Sequence, residues 1–252
     1  MTAAQESLNL NVHAPALVGD EPRPLAIVRG MERAFPGLRL GWTTSEKEDL
    51  IKLAHRDEWV ATERPDGGFP FLCNDDTTRL VTLTAWENPG GLAVGSPPHL
   101  QIHASLPLDA VGIAAAADVL NALGDEARAV WGHASPWGYN EIVAQQFRDP
   151  GDEPHVTPHG LPWLLRPRYN RAPEIPHYLG WLNYWSAATA RTIGFPDPAR
   201  DADLFSRSRR TATGGWVVRL TDAPLDLDNP AHLDALKRAY ERFPEIGGRA
   251  AP

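Results

Sequence analysis

Between His177 and Ser186 the chain reads HYLGWLNYWS, which places four aromatic rings (Tyr178, Trp181, Tyr184 and Trp185) within ten residues. Rings of this size remove large apolar areas from water, and the polar tips of Trp and Tyr need hydrogen-bond partners once buried. Such density marks either the middle of a core or an aromatic binding surface, and the core is the commoner fate of large rings. The preceding residues 149–176 carry DPGDEP, TPHGLP, RPR and APEIP, whose prolines exclude long helices and central strands. The stretch therefore reads as a strand over Gly180–Tyr184, then a short helix capped by Ser186, entered from a proline-rich connection.

The remainder alternates short elements. Leu8, Leu10 and Val12 against Asn9, Asn11 and His13 give the period-2 pattern of a strand with one wet face. Leu25, Val28, Met31 and Phe35 recur at helical spacing until Pro36-Gly37, and Leu38–Thr43 follows as a strand. Ser45 and Glu48 form a capping-box pattern, predicting a helix with Leu50, Leu53 and Ala54 on its apolar side. RPDGGFP (Arg64–Pro70) is a turn, and Leu80–Trp86 and Leu100–Leu106 are strands. Asp109 caps a helix running to about Leu123, with Gly124 as its stop. Ala129–Ala134 is a strand and Tyr139–Phe147 a helix. Trp216–Leu220 is a further strand, and Asn229-Pro230 opens a last helix whose stripe is Leu233, Leu236, Tyr240 and Phe243. The pattern is α+β: a mixed or antiparallel sheet flanked by helices, with a β-α-β opening and a C-terminal strand–helix unit. With 252 residues, 42% of them apolar, the chain can bury one core as a single domain over 1–252. Within it, 1–148 forms an N-terminal α/β half, 149–176 the connection and 177–252 an aromatic half.

The formal charge of −8 disfavours nucleic acid and anionic lipid as partners and favours basic ones. The lone Cys73 excludes an internal disulfide framework and fits a reducing compartment. The opening MTAAQESLNLNVHAP lacks the basic and apolar regions of a signal peptide, and no apolar run reaches membrane length. The expected location is the cytoplasm.

Catalytic signatures are scarce. His99 and His103, with His133 on a neighbouring element, suggest zinc, but residues four apart on a strand lie ~13 Å from each other, too far for one ion. His155 and His159, with Asp152 or Glu153, could clip a metal in the proline-rich loop; a metal-dependent hydrolase built there is the rival reading, and surface histidines the simpler one. Asp75-Asp76 and the trio Asp222, Asp226 and Asp228 read as solvated turn residues. Arg207, Arg209 and Arg210 read as a solvated basic face. Neither a G-x-S-x-G elbow, nor a Walker loop, nor a dinucleotide fingerprint occurs. No catalytic residue, metal or cofactor is predicted.

The GWLNYWS block (Gly180–Ser186) and WVVRLTDAPLDLDNPAHLDALKRAYERF (Trp216–Phe243), with its Asn229-Pro230-Ala231-His232, resemble the Immunity protein 52 family of bacterial polymorphic-toxin systems. The resemblance also extends to a group of uncharacterised bacterial proteins of similar layout. It implies an antitoxin of α+β fold that neutralises a cognate secreted toxin, often a nuclease with a basic active-site cleft. Gly180, Trp181, Tyr184, Trp185, Asn229 and His232 carry over as signature positions of structural character. An acidic inhibitor would meet such a cleft through loop carboxylates, for which Asp75, Asp76, Glu87, Asp226 and Asp228 are the candidates. An orphan structural module, with neither metal nor toxin partner, is the remaining alternative.

Overall fold

The computed structural model describes residues 7–45, 49–89, 97–148, 157–166 and 173–249. The elements of the first part are β1 (Ser7–Pro15), α1 (Arg23–Ala34), β2 (Trp42–Thr44), β3 (Leu50–Lys52), α2 (Arg56–Thr62), β4 (Phe69–Cys73), β5 (Thr82–Asn88) and β6 (His99–Pro107). After them come α3 (Ala110–Ala127), β7 (Trp131–Pro136), α4 (Trp137–Arg148), β8 (Leu182–Trp185), α5 (Ala187–Thr192), α6 (Ala202–Ser206), β9 (Ser208–Arg210), β10 (Trp216–Arg219) and α7 (Pro230–Arg242). All the strands belong to one antiparallel sheet, in the order β3-β2-β4-β5-β6-β1-β7-β8-β10-β9. It takes strands from both the N-terminal and the aromatic parts of the sequence.

Strand β1 divides the two faces. Leu8, Leu10, Val12 and Ala14 are buried on one side, joined across the ladders by Leu100, Ile102, Ala104 and Leu106 of β6 and Ala134 of β7. Helix α3 covers this face and α1 packs on α3 through Ile27, Val28 and Met31. The opposite face carries Asn9, Asn11 and His13, and is covered over β7 and β8 by α4, the segment before β8 and the end of α7. Among the described residues no helix is long and apolar enough to cross a membrane.

Several local expectations give way to longer-range packing. The capping-box helix after Ser45 does not form across Leu50–Lys52, which is edge strand β3 paired with β2; Glu48 lies outside the described residues. Ser45 instead closes the turn, its Oγ accepting from the Asp49 amide at 3.1 Å. A ladder next to β2 satisfies backbone groups that a short, weakly apolar helix would leave at its ends. The helix begins later, as α2. The strand expected over Leu38–Thr43 contracts to β2, and β1 and β2 are separated by β4, β5 and β6, so the β-α-β opening makes no parallel unit. The arginine run contains an edge strand, β9, with Arg209 and Arg210 exposed while Arg207 is partly buried and donates to the Leu220 carbonyl at 2.8 Å.

Gly124 does not end α3. The helix runs on to Ala127 and stops at Arg128, whose φ of 54° is left-handed and whose amide bonds back to Asp125 and Gly124 carbonyls. Gly124 is needed for packing: a Cβ there would lie 2.5 Å from Cδ2 of Tyr184. Gly124→Ala should therefore destabilise the protein by about 1–3 kcal/mol despite the better helix propensity of alanine, measured as a shift in the urea midpoint; a stabilised variant would contradict this packing role.

Candidate functional site

The signature positions of the aromatic stretch hold the fold. The amide of Trp181 donates to Ser135 Oγ at 3.1 Å and its Nε1 to the Thr221 carbonyl at 2.9 Å. Tyr184 reaches from β8 to Asp125 Oδ1 on α3 at 2.9 Å. Trp185 is clamped edge-on between Phe195 and Phe243, with ring centroids 5.1 and 5.2 Å away, and its Nε1 has no hydrogen-bond partner among the described residues. Gly180 lies where a Cβ would stand 2.7 Å from Ser135 Oγ and 2.9 Å from the Ala134 carbonyl. Asn229 caps α7 by accepting from the Ala231 amide, and His232 Nδ1 accepts from the Asp226 amide at 3.2 Å.

A concavity lies elsewhere, at one corner of the sheet. Register fixes why. Trp42 pairs with Lys52 on one side and Cys73 on the other, so the start of β2, the end of β3 and the residues after β4 converge. They enclose an open cleft of about 600 Å³ lined by Arg39, Trp42, Lys52, His55, Glu58 and Asp75, among others. Its floor is an ion network. Buried Arg56 meets Glu32 through two hydrogen bonds of 3.0 and 3.2 Å and Asp57 at 2.6 Å. Arg29 engages Asp57 from the other side at 2.5 Å, and Arg39 reaches Glu32 at 3.3 Å. This network ties α1 to α2 and holds the Asp57 carboxyl below its ordinary range, chiefly through the Arg29 hydrogen bond.

Beside the cleft stands the β4–β5 turn with Asp75 and Asp76. Asp76 Oδ1 accepts from the Thr78 hydroxyl, the Thr78 amide and the Arg79 amide at 2.6, 3.0 and 3.1 Å, which keeps the carboxyl ionised below its usual range. Arg79 bridges to Asp109, the N-cap of α3, at 2.8 Å. Next to the Arg79–Asp109 bridge Leu80 and Val111 are each 41% exposed, and Ile51 on the edge strand β3 is 45% exposed. The corner thus carries charges of both signs, with exposed apolar side chains on the neighbouring β3, β4–β5 turn and α3.

The five carboxylates singled out in the sequence do not share one patch. Asp75 and Asp76 stand at the corner. Asp226 and Asp228 precede α7 at the same end of the sheet but beyond β10, six strand spacings from β4 and thus roughly 29 Å away. Glu87 is near the other end of β5. Asp152, Glu153 and His155 lie outside the described residues, and His159 is exposed in a 3₁₀ turn over Pro158–Gly160. His99, His103 and His133 do share one sheet face, but among the described residues no three His, Cys, Asp or Glu side chains are arranged to hold a metal ion. Sequence reasoning missed the cleft because it arises from β2–β3 pairing, which the capping-box pattern concealed; the exposure of Leu80 and Val111 follows instead from the β4–β5 turn and the start of α3.

The family model described as Domain of unknown function (DUF5953) matches residues 19–251. The chain belongs to the DUF5953 family. The match spans both the corner and the aromatic stretch, so this DUF5953 chain carries them within one family unit. No curated protein matches its sequence. Among solved structures, the Pseudomonas aeruginosa T6SS protein PA0821 superposes with a TM-score of 0.55 at 17% identity, covering 94% of this chain and 72% of that one. At such identity the likeness is one of fold.

Proposed function

We propose that the chain is an immunity protein: a cytoplasmic, stoichiometric inhibitor that binds a cognate secreted bacterial toxin and acts without catalytic turnover or cofactor. The observation that carries the reading is a fold shared over 94% of the chain with a protein named for a secretion system, a setting in which secreted protein partners are met. The resemblance to the Immunity protein 52 family rests on the Gly180–Ser186 block and the Trp216–Phe243 segment, where the quoted positions support β8 and α7. The toxin is expected to offer a basic cleft, a nuclease-like one among them. A net charge of −8 steers the chain toward such a surface, and the Asp75/Asp76 corner is the docking site that best combines fixed carboxylates with exposed apolar groups.

The test is a binding measurement with a secreted toxin-like protein sought in the reading frame adjacent to this chain's. Asp75→Lys combined with Asp76→Lys should slow association about tenfold at low salt and flatten its salt dependence. Asp226→Lys with Asp228→Lys, far across the sheet, should leave the rate near wild type. Unchanged association in the first variant would move the interface away from the corner, and loss in the second alone would place it at α7.

A further inference from the structure

The face of the sheet opposite α3 collects histidines from distant points in the sequence. His13 stands on β1, His99 and His103 on β6, His133 on β7, and His177 in the segment leading to β8. Register sets Asn11 beside both His103 and His133, and His13 beside Trp131. The rings touch: His13 stacks on Trp131 at 3.8 Å, and His177 meets His13 and Trp131 edge-on at 5.3 and 4.8 Å. His99 is 5.5 Å from His13, and His133 is 4.2 Å from Tyr178. His133 is 1% exposed, and its Nδ1 has no hydrogen-bond partner among the described residues.

Imidazoles packed this way are stable together only when neutral. Burial first, then the charge that neighbouring histidines would carry, pushes His133 and His177 down to about 3. His13 is depressed for the same reasons, and His99 and His103 are lowered by burial. Few groups oppose this. Glu87 on β5 acts on His99, while Tyr139 of α4, Tyr240 of α7 and Tyr178 contribute hydroxyls whose own ionisation burial suppresses. Among the described residues no carboxylate bonds to His133 or His177.

Residues 173–179 lie over this layer, and the Tyr178 hydroxyl donates to Asn140 Oδ1 of α4 at 3.4 Å. Trp131 Nε1 donates to the Pro173 carbonyl at 3.1 Å, and the Gly247 amide donates to the Pro176 carbonyl at 3.0 Å. The Tyr139 hydroxyl donates to the Leu179 carbonyl at 2.7 Å, and the Leu179 amide donates to Tyr240 at 3.1 Å. We infer that the histidine layer is an acid-sensitive latch: protonation of His133 and His177 drives the segment from Pro173 to Tyr178 off the sheet while the face covered by α1 and α3 stays folded. The sign follows from linkage. A released histidine binds its proton near the ordinary value of 6.5 and a latched one only near 3, so the latch is intact above about pH 6.5 and weakens as pH falls.

A Glu-specific protease, acting after Glu174, tests this on the full chain. Cleavage there, normalised to a free peptide, should be at least about tenfold faster at pH 5 than at pH 7.5, with the far-ultraviolet circular dichroism unchanged. His177→Gln should reduce the acid acceleration, whereas His232→Gln, half-buried in the first turn of α7 and outside the layer, should keep it. If His177→Gln does not fold, imidazole NMR of the wild type gives the same answer: two histidines that stay neutral until the cleavage transition and titrate with it. Equal cleavage at both pH values overturns the latch. So does loss of circular dichroism in step with cleavage, which is global unfolding, or protection by zinc at neutral pH, which would make the layer a metal site.

Discussion

Replacing Arg242 by Met is expected to lower the free energy of unfolding by about 3–5 kcal/mol. The Asp201 side chain is 0% exposed and its carboxylate meets Arg242 through Oδ1 at 2.6 Å and Oδ2 at 2.9 Å. Oδ2 also accepts from the Asp197 amide at 2.7 Å, and the same guanidinium donates to the Gly194 carbonyl at 2.7 Å. The pair therefore pins the last turn of α7 to the loop that leads into α6. Removing the guanidinium leaves a carboxylate enclosed without its cation, and that desolvation, more than the lost attraction, sets the size of the effect. Asp201→Asn in the Arg242→Met background should recover part of the loss, since the stranded charge is gone. Urea unfolding of the three variants measures this; a single-variant loss below about 1 kcal/mol would mean that the pair is solvated in solution.

Truncating Trp181 to Ala should cost a similar amount, about 3–5 kcal/mol. The ring is 1% exposed, and its indole nitrogen satisfies the Thr221 carbonyl. Trp181→Phe keeps much of the apolar volume and should lose about 1–2 kcal/mol, the share of the hydrogen bond and the smaller ring. The comparison separates the two roles an aromatic cluster can have. A Trp181→Ala protein as stable as wild type but deficient in partner binding would place the ring at an interface; the buried hydrogen bonds argue for the core.

The sequence carried the buried alternation of β1 and the caps at Asp109, Ser186 and Asn229, because each depends on neighbours a few residues away; the core role of Trp181, Tyr184 and Trp185 was legible from ring size and crowding alone, although their partners lie far along the chain. It did not carry features whose cause lies far along the chain. Gly124 looked like a helix stop until Tyr184, sixty residues later, occupied the space where its Cβ would stand. Ser45 looked like a helix cap although β2 and β3 had a better use for the backbone that follows. The histidines show the same limit from the other direction. Four residues of strand correctly set His99 apart from His103, but nothing local could reveal that His13 and His177 complete the layer across neighbouring strands. For the candidate docking corner, only Asp75 and Asp76 were legible, as turn carboxylates; the cleft and the exposed Ile51, Leu80 and Val111 follow from strand pairing and helix placement.

The central claim is that this DUF5953 chain works by occupying another protein's surface. Co-expression in a sensitive bacterial host with a toxin-like protein from an adjacent reading frame measures that directly. Growth restored by the wild-type chain, together with recovery of an equimolar complex and failure of the Asp75→Lys/Asp76→Lys variant to protect, is the predicted result. A chain that leaves the toxin fully active at equal or higher expression, or that turns over a substrate when purified alone, would contradict it.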